Sequence, residues 1–287
     1  METRNPILRN AEKNYAEYGS VQGGPGSFPA PGTGQGSAGA AQLTGVYPTP
    51  TMGGSAGSTM TLADVITKTA ICFGILLFWG VIGWFTAASF LWVIGMIVGL
   101  TVGLVCAFKK TVSPPLVMIY AAAQGLMLGG ISAWYQAFGD AQGWGNIVFQ
   151  AVTGTLIVFA VMLTLYQTRI IKVTGKFQKI FMVALFSYVA IGLLSLVFYL
   201  ISLAFHQGSN FAFGFFGVGT IGIIVCALAI ILAAFALCMD FESVSEGLRY
   251  GVPESESWRM AFGLMVTLIW LYLEILRLLT ILAASRD

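Results

Sequence analysis

An acid and a base interrupt the apolar stretch LYLEILRLL at 271–279. A charge at the centre of a bilayer costs roughly 2.5 to 3.5 kcal/mol on insertion scales, so Glu274 and Arg277 require a physical reason. Three positions separate them, which puts both on one helix face, where each lowers the cost of burying the other. One interpretation is therefore an internal ion pair that only orients its helix.

A second interpretation adds Asp240, an acid at the end of another apolar stretch. Two carboxylates that approach each other in a low dielectric do not both ionise cheaply, so Asp240 and Glu274 would share one proton and form a pH-sensitive latch tuned by Arg277. Counted from the loop between their helices, Asp240 lies about 9 residues deep and Glu274 about 16, an offset near 10 Å. Helix tilt or a water molecule would have to close that gap.

Other oxygen-bearing side chains are Glu242 and Glu246, which follow Asp240, and Gln124 in a third apolar stretch. Ca²⁺ prefers such hard oxygen ligands. Because the EF-hand pattern is absent, we expect transient cation contact and no metal site of high affinity, with a solvated acidic loop as the alternative. Searches for protease, phosphate-loop and zinc motifs and for a nucleic-acid face fail, so we expect no enzyme, no cofactor and no nucleic-acid partner.

Composition defines the elements that must hold these groups. The chain is 57% apolar and only 9% charged, against about 25% charged in soluble domains. The long charge-free stretches lack the alternation of a membrane β-barrel, so they predict an all-α integral membrane protein in a lipid bilayer. Seven spans are predicted, at about 67–88, 91–108, 115–135, 147–167, 180–203, 218–239 and 259–282.

The two ends of the chain differ in kind. Residues 1–58 are rich in Gly, Pro and Ser and predict a disordered tail, whereas residues 59–287 form the seven-helix domain. Thr61 and Asp64 have the spacing of a helix capping box, so the first helix is expected to begin there. No signal peptide is recognised.

Basic residues predict the orientation of the chain. With the N-terminus in the cytoplasm, twelve bases lie on the cytoplasmic side and only Arg286 lies outside, so we expect a multi-pass protein of the cell membrane with its C-terminus outside. The twelve are Arg4, Arg9, Lys13, Lys68, Lys109, Lys110, Arg169, Lys172, Lys176, Lys179, Arg249 and Arg259.

Glycines every four residues mark helix faces that allow close packing. They are Gly95, Gly99 and Gly103 in the second span and Gly125 and Gly129 in the third. Such faces let two backbones approach closely. They predict either plain bundle packing or a helix pair that slides around a pore.

The C-terminal third, LCMDFESVSEGLRYGVPESESWRMAFGLMVTLIWLYLEILRLL, resembles the Bax inhibitor-1/YccA family of seven-helix membrane proteins. The specific parts are the acid in MDFESV and the acid in LYLE. The resemblance extends from about Met60 to Leu282 and leaves the tail out. It implies six helices around a central seventh, a calcium-permeable leak and a paired-carboxylate pH sensor.

On this resemblance Asp240 corresponds to the first sensor residue and Glu274 to the second, although relatives typically carry Asp at the second position. The second span holds no arginine to act as the latch partner of relatives, so Arg277 is expected to substitute for it. The resemblance leads to a pH-sensitive leak for cations, Ca²⁺ above all, gated by movement of the second helix against the seventh. The alternative is a non-conducting regulator that binds other membrane proteins, such as a membrane protease.

Overall fold

The computed structural model describes residues 58–86, 90–109, 111–171, 173–204 and 220–285. Within them the chain forms seven helices, all long and apolar enough to cross a membrane, which confirms the predicted class and the number of spans. They are α1 (Leu62–Phe85), α2 (Leu91–Phe108), α3 (Pro114–Ala141), α4 (Ile147–Gln167), α5 (Gly175–Ala204), α6 (Thr220–Tyr250) and α7 (Ser257–Ala284). Apart from Ser58, the tail predicted at 1–58 lies outside the described residues.

Helix α6 differs most from its predicted span, because it continues about three turns past residue 239 to Tyr250. The prediction followed apolar residues only, whereas the helix goes on through a segment in which buried and accessible positions alternate with the helical period. Phe241, Val244 and Gly247 are buried there. The extension keeps α6 packed on α7 up to their connection.

Helix α1 begins at the predicted capping box. The Asp64 amide donates to Thr61 Oγ1 at 3.2 Å, and the Thr61 amide donates to the Asp64 carboxylate at 2.9 Å. Two amides without a partner inside the helix are satisfied in this way. Such a cap stabilises a helix by about 1 kcal/mol.

The glycine faces join α1, α2 and α3 into one layer. A Cβ built on Gly95 of α2 would lie 2.7 Å from the Ala123 carbonyl oxygen of α3, and one built on Gly129 of α3 would lie 2.0 Å from the Gly80 carbonyl oxygen of α1. These distances are too short for any side chain. The glycines therefore set how closely the three backbones approach.

Helix α7 is the central element of the bundle. It packs against α1, α3, α4 and α6, whereas α2 lies on α3 and α5 lies on α6. Each of the three hydrophobic clusters includes buried residues of α7: Met265 in the first, Leu271 in the second and Leu276 in the third. Val266 is the one exposed residue of α7, as expected of a helix in the interior of a bundle.

The segment before α1 is attached to the α6–α7 connection. The Met60 amide donates to the Val252 carbonyl at 2.8 Å, and the Glu254 amide donates to the Ser58 carbonyl at 2.8 Å. Lys68 of α1 completes the attachment with an ion pair to Glu254 at 3.0 Å. Below, the end of the bundle that carries this connection is called the hairpin end, and the opposite end is called the far end.

Candidate functional site

Glu274 and Arg277 form an ion pair inside the bundle. The Glu274 side chain is 9% exposed and that of Arg277 17%, and Arg277 Nη1 lies 3.5 Å from Glu274 Oε2. Their spacing of three positions puts them on one face of α7, as the sequence predicts. Pairing lowers the cost of burying either charge.

A tyrosine of α5 is the third member of this group. The Tyr188 hydroxyl donates to Glu274 Oε1, and its ring packs on Trp270 with 5.5 Å between ring centroids. Cys226 of α6 lies near the Glu274 carboxylate. Glu274 is therefore held by Arg277 of its own helix and by Tyr188 of α5, and we call these three residues the inner group.

Asp240 of α6 lies apart from the inner group and packs against Gly263 of α7, where no side chain fills the space. A Cβ built on Gly263 would lie 3.3 Å from Asp240 Oδ1, and the carboxylate lies beside the Thr267 side chain. Asp240 Oδ2 is buried and has no hydrogen-bond partner among the described residues. A buried carboxylate oxygen without a donor costs free energy until it gains a proton or a cation.

The two acids lie at different depths along α7. Asp240 faces Gly263 and Thr267, and Glu274 is seven residues beyond Thr267, which corresponds to about 10 Å at 1.5 Å per residue. Direct sharing of a proton, as expected from the sequence, therefore does not occur in this conformation. The reason is the short connection between α6 and α7, which fixes Asp240 opposite the first half of α7.

The expected sliding surface is also placed differently. Gly99 of α2 faces Gln124 of α3, since a Cβ built on it would lie 2.9 Å from the Gln124 amide nitrogen, and Gly103 faces Tyr120. The glycine face of α2 thus packs on α3, whereas gating by α2 against α7 was the expectation. Gly125 and Gly129 of α3 face α1 instead.

The remaining candidate oxygens do not converge on Asp240. Glu242 accepts a hydrogen bond from the Tyr166 hydroxyl at 3.0 Å, and Glu246 pairs with Arg249 at 3.8 Å. Because an α-helix has 3.6 residues per turn, both side chains lie on other faces of α6 than Asp240. Among the described residues no three His, Cys, Asp or Glu side chains form a metal-binding group.

Gln124 is buried between α2 and α3, where its amide lies against Gly99 and beside the Tyr120 side chain. Its Oε1 atom is buried and has no hydrogen-bond partner within the described ranges. This position is in the α1–α2–α3 layer rather than in the α6–α7 interface that holds Asp240. A cation at Asp240 would not contact it.

Sequence reasoning missed Tyr188, because only charged and amide side chains were considered as polar groups within spans. A tyrosine in a membrane helix is compatible with a lipid-facing position, so its type alone gives no signal. Gly263 was missed for a similar reason. Its importance depends on the register between α6 and α7.

The fold and the site define a seven-helix membrane protein with ionisable groups along its central helix. The sequence profile of the family described as Bax inhibitor 1 like matches residues 5–284. The chain therefore belongs to this family. A search of curated proteins gave no match.

The family match corrects one expectation, namely that the resemblance begins near Met60. It begins at residue 5 and therefore includes most of the tail. A segment dominated by Gly, Ser and Pro has no hydrophobic period, so inspection of residues gave no sign that the tail belongs to the matched region.

Proposed function

We propose that the protein is a pH-sensitive leak pathway for cations, with Ca²⁺ as its principal ion. The observation that carries the proposal is the buried Oδ2 atom of Asp240, which has no donor among the described residues. An oxygen in this state binds either a proton or a cation. Competition between the two makes cation passage depend on pH.

The inner group supplies the second step of the proposed pathway. A cation that leaves Asp240 toward the far end meets Glu274 about two turns further along α7. There Arg277 opposes it by charge, and Tyr188 competes for the carboxylate as a hydrogen-bond donor. In the structure both partners hold Glu274, which supports assigning this conformation to a closed state.

Arg277 takes the role of latch partner in this proposal. It is the base that pairs with Glu274, and α2, the span that carries the latch arginine in relatives, has none. Removal of its charge should favour a cation at Glu274. Glu242 and Glu246 then provide no more than transient Ca²⁺ contact at the hairpin end, and no resident cofactor or catalytic activity is assigned.

The proposed location is the cell membrane, with the N-terminus in the cytoplasm and the C-terminus outside. Support comes from the twelve bases on one side against one on the other. The hairpin end, with Asp240 near it, then faces the cytoplasm.

The test is Ca²⁺ flux into dye-filled liposomes that contain wild type, Asp240→Asn or Glu256→Gln. Glu256 serves as a control, since it is an acid of the hairpin end that pairs with Arg259 at 2.9 Å. We expect wild type and Glu256→Gln to leak with the same pH midpoint and Asp240→Asn to lose the pH dependence. An unchanged midpoint in Asp240→Asn would sink the proposal.

The alternative function, a regulator that binds other membrane proteins, is supported by the surface of α5. This helix packs on α6 and leaves large apolar side chains exposed, among them Ile180, Val183 and Phe186, each about two-thirds exposed or more. Such a surface suits another membrane helix as well as lipid. A regulator would conduct no ion in liposomes and would retain a membrane protein in pull-down experiments with or without its tail.

A further inference from the structure

A cavity of about 570 Å³ opens between α1 and α4. Its walls include Leu77 and Val81 of α1 and Leu156 of α4, each more than half exposed. The floor is formed by α3 and α7, where Ser132 and Tyr272 are hydrogen-bonded to each other at 2.7 Å. These two hydroxyls satisfy each other, so the interior offers carbon surface to an occupant.

The cavity continues into a more polar opening at the far end. Trp84, Val148 and Val152 line both the cavity and this opening, to which Gln136 and Asn146 add amide groups. α3 ends and α4 begins there. The opening therefore lies near the membrane surface, and the cavity extends from it toward the bilayer centre.

The polar groups of the opening are held in place and carry an acid. Gln136 donates to Asp140 Oδ1 at 2.8 Å, and its Oε1 atom accepts from the Val148 amide at 3.2 Å. The charged side chain fixed at this position is thus a carboxylate. It attracts a cationic group and repels an anionic one.

We propose that this cavity binds one acyl chain of a zwitterionic phospholipid, whose ammonium group lies at the opening beside Asp140. An apolar cavity of this kind does not retain water. The walls belong to membrane-spanning helices and are continuous with the surface that contacts lipid, so acyl chains are the apolar molecules at hand. The proposal depends on the membrane location and not on the leak function.

The bound chain would touch α7 between the two acids. Leu268, Ile269 and Tyr272 line the cavity, and they lie between Thr267, which contacts Asp240, and Glu274. A lipid here would support the segment of α7 that separates the two levels of the proposed pathway. Its loss should therefore leave this segment less well packed.

The test uses a phosphatidylethanolamine probe with a photoreactive diazirine near the end of one acyl chain, incorporated into bilayers with the full-length protein. Leu156→Trp fills the cavity, and Ile157→Trp is the matched control, because Ile157 is the neighbouring residue, is 58% exposed against 61% for Leu156, and does not line the cavity. Adducts are mapped by mass spectrometry after proteolysis. Thermal unfolding confirms that both variants fold, and Val81→Trp fills the same cavity from α1.

We expect adducts on cavity residues in wild type and Ile157→Trp. In Leu156→Trp and Val81→Trp the yield of these adducts should fall about tenfold, which corresponds to a tenfold weaker affinity for the lipid. A phosphatidylglycerol probe should label the cavity less. Equal labelling by the two probes would overturn the assignment of the headgroup. The proposed lipid site is wrong if Leu156→Trp and Val81→Trp are labelled as strongly as Ile157→Trp. It is also wrong if the wild-type protein gives no adduct on the cavity residues, as would happen if another protein surface covered the cavity.

Discussion

The separation of the two acids leads to a quantitative prediction for Glu274→Gln. At about 10 Å and an effective dielectric constant of about 20, two unit charges interact by about 1.7 kcal/mol, or about 1.2 pH units. At 4 Å the energy would be about 4 kcal/mol, or about 3 pH units. Arg277 compensates part of the Glu274 charge. We therefore expect Glu274→Gln to move the pH midpoint of the leak by at most about one unit.

The sign of this shift in the pH midpoint follows from the charge that is removed. Removal of the negative charge of Glu274 makes protonation of Asp240 harder, so the midpoint should move to lower pH. The amplitude of the leak should fall, because the buried Arg277 cation then lacks its carboxylate and opposes cations more strongly. The isosteric exchange keeps the size of the side chain.

The assay is Ca²⁺ entry into dye-filled liposomes between about pH 5 and 8, with wild type, Asp240→Asn, Glu274→Gln and the double variant. The effects of the two exchanges on thermal stability should be non-additive by no more than about 1.4 kcal/mol, the energy that corresponds to one pH unit. A midpoint shift of about three pH units in Glu274→Gln would refute the separation of the two acids. So would a strong departure from additivity in the thermal stability of the double variant. Either result would favour a proton shared by Asp240 and Glu274.

Three further predictions follow from single contacts. Arg277→Gln should raise the leak, because it removes the positive barrier at Glu274; a pH dependence unchanged from wild type in the flux assay would show that Arg277 is not a latch partner. Tyr188→Phe removes a hydrogen bond to a carboxylate and should lower thermal stability by about 1.5 to 3 kcal/mol, whereas unchanged unfolding would mean that the contact contributes nothing. Gly129→Ala should lower the free energy of unfolding by about 1 to 3 kcal/mol or more, because the added methyl group would clash with the α1 backbone. Gly74→Ala is the control and should be close to neutral, because a Cβ at Gly74 meets nothing within 4 Å. Equal effects of the two variants on thermal unfolding would contradict the packing of α3 on α1.

Local features of the sequence predicted much of the fold. Charge-free apolar stretches predicted all seven helices, since burial of backbone polar groups in a bilayer leaves few alternatives. The start of α1 followed from the Thr61 and Asp64 spacing. The Glu274–Arg277 pair followed from helical geometry alone, because both partners belong to one helix.

Features that depend on tertiary register were not predictable. The spacing of Gly95 and Gly129 showed that helices approach closely, but it did not show which helix each face meets. The neighbours of Asp240, namely Gly263 and Thr267, depend on how α6 and α7 align across their connection. The contact of Tyr188 with Glu274 joins residues 86 positions apart, so no local sequence pattern predicts it.

Whether the protein conducts cations by itself is tested by Ca²⁺ flux through the purified wild-type protein, in liposomes without any other protein. We expect a leak above that of empty liposomes, with an amplitude that changes with pH between about 5 and 8. If the protein passes no cation at any pH in this range, the buried acids of α6 and α7 have a structural role. The regulator function would then replace the leak.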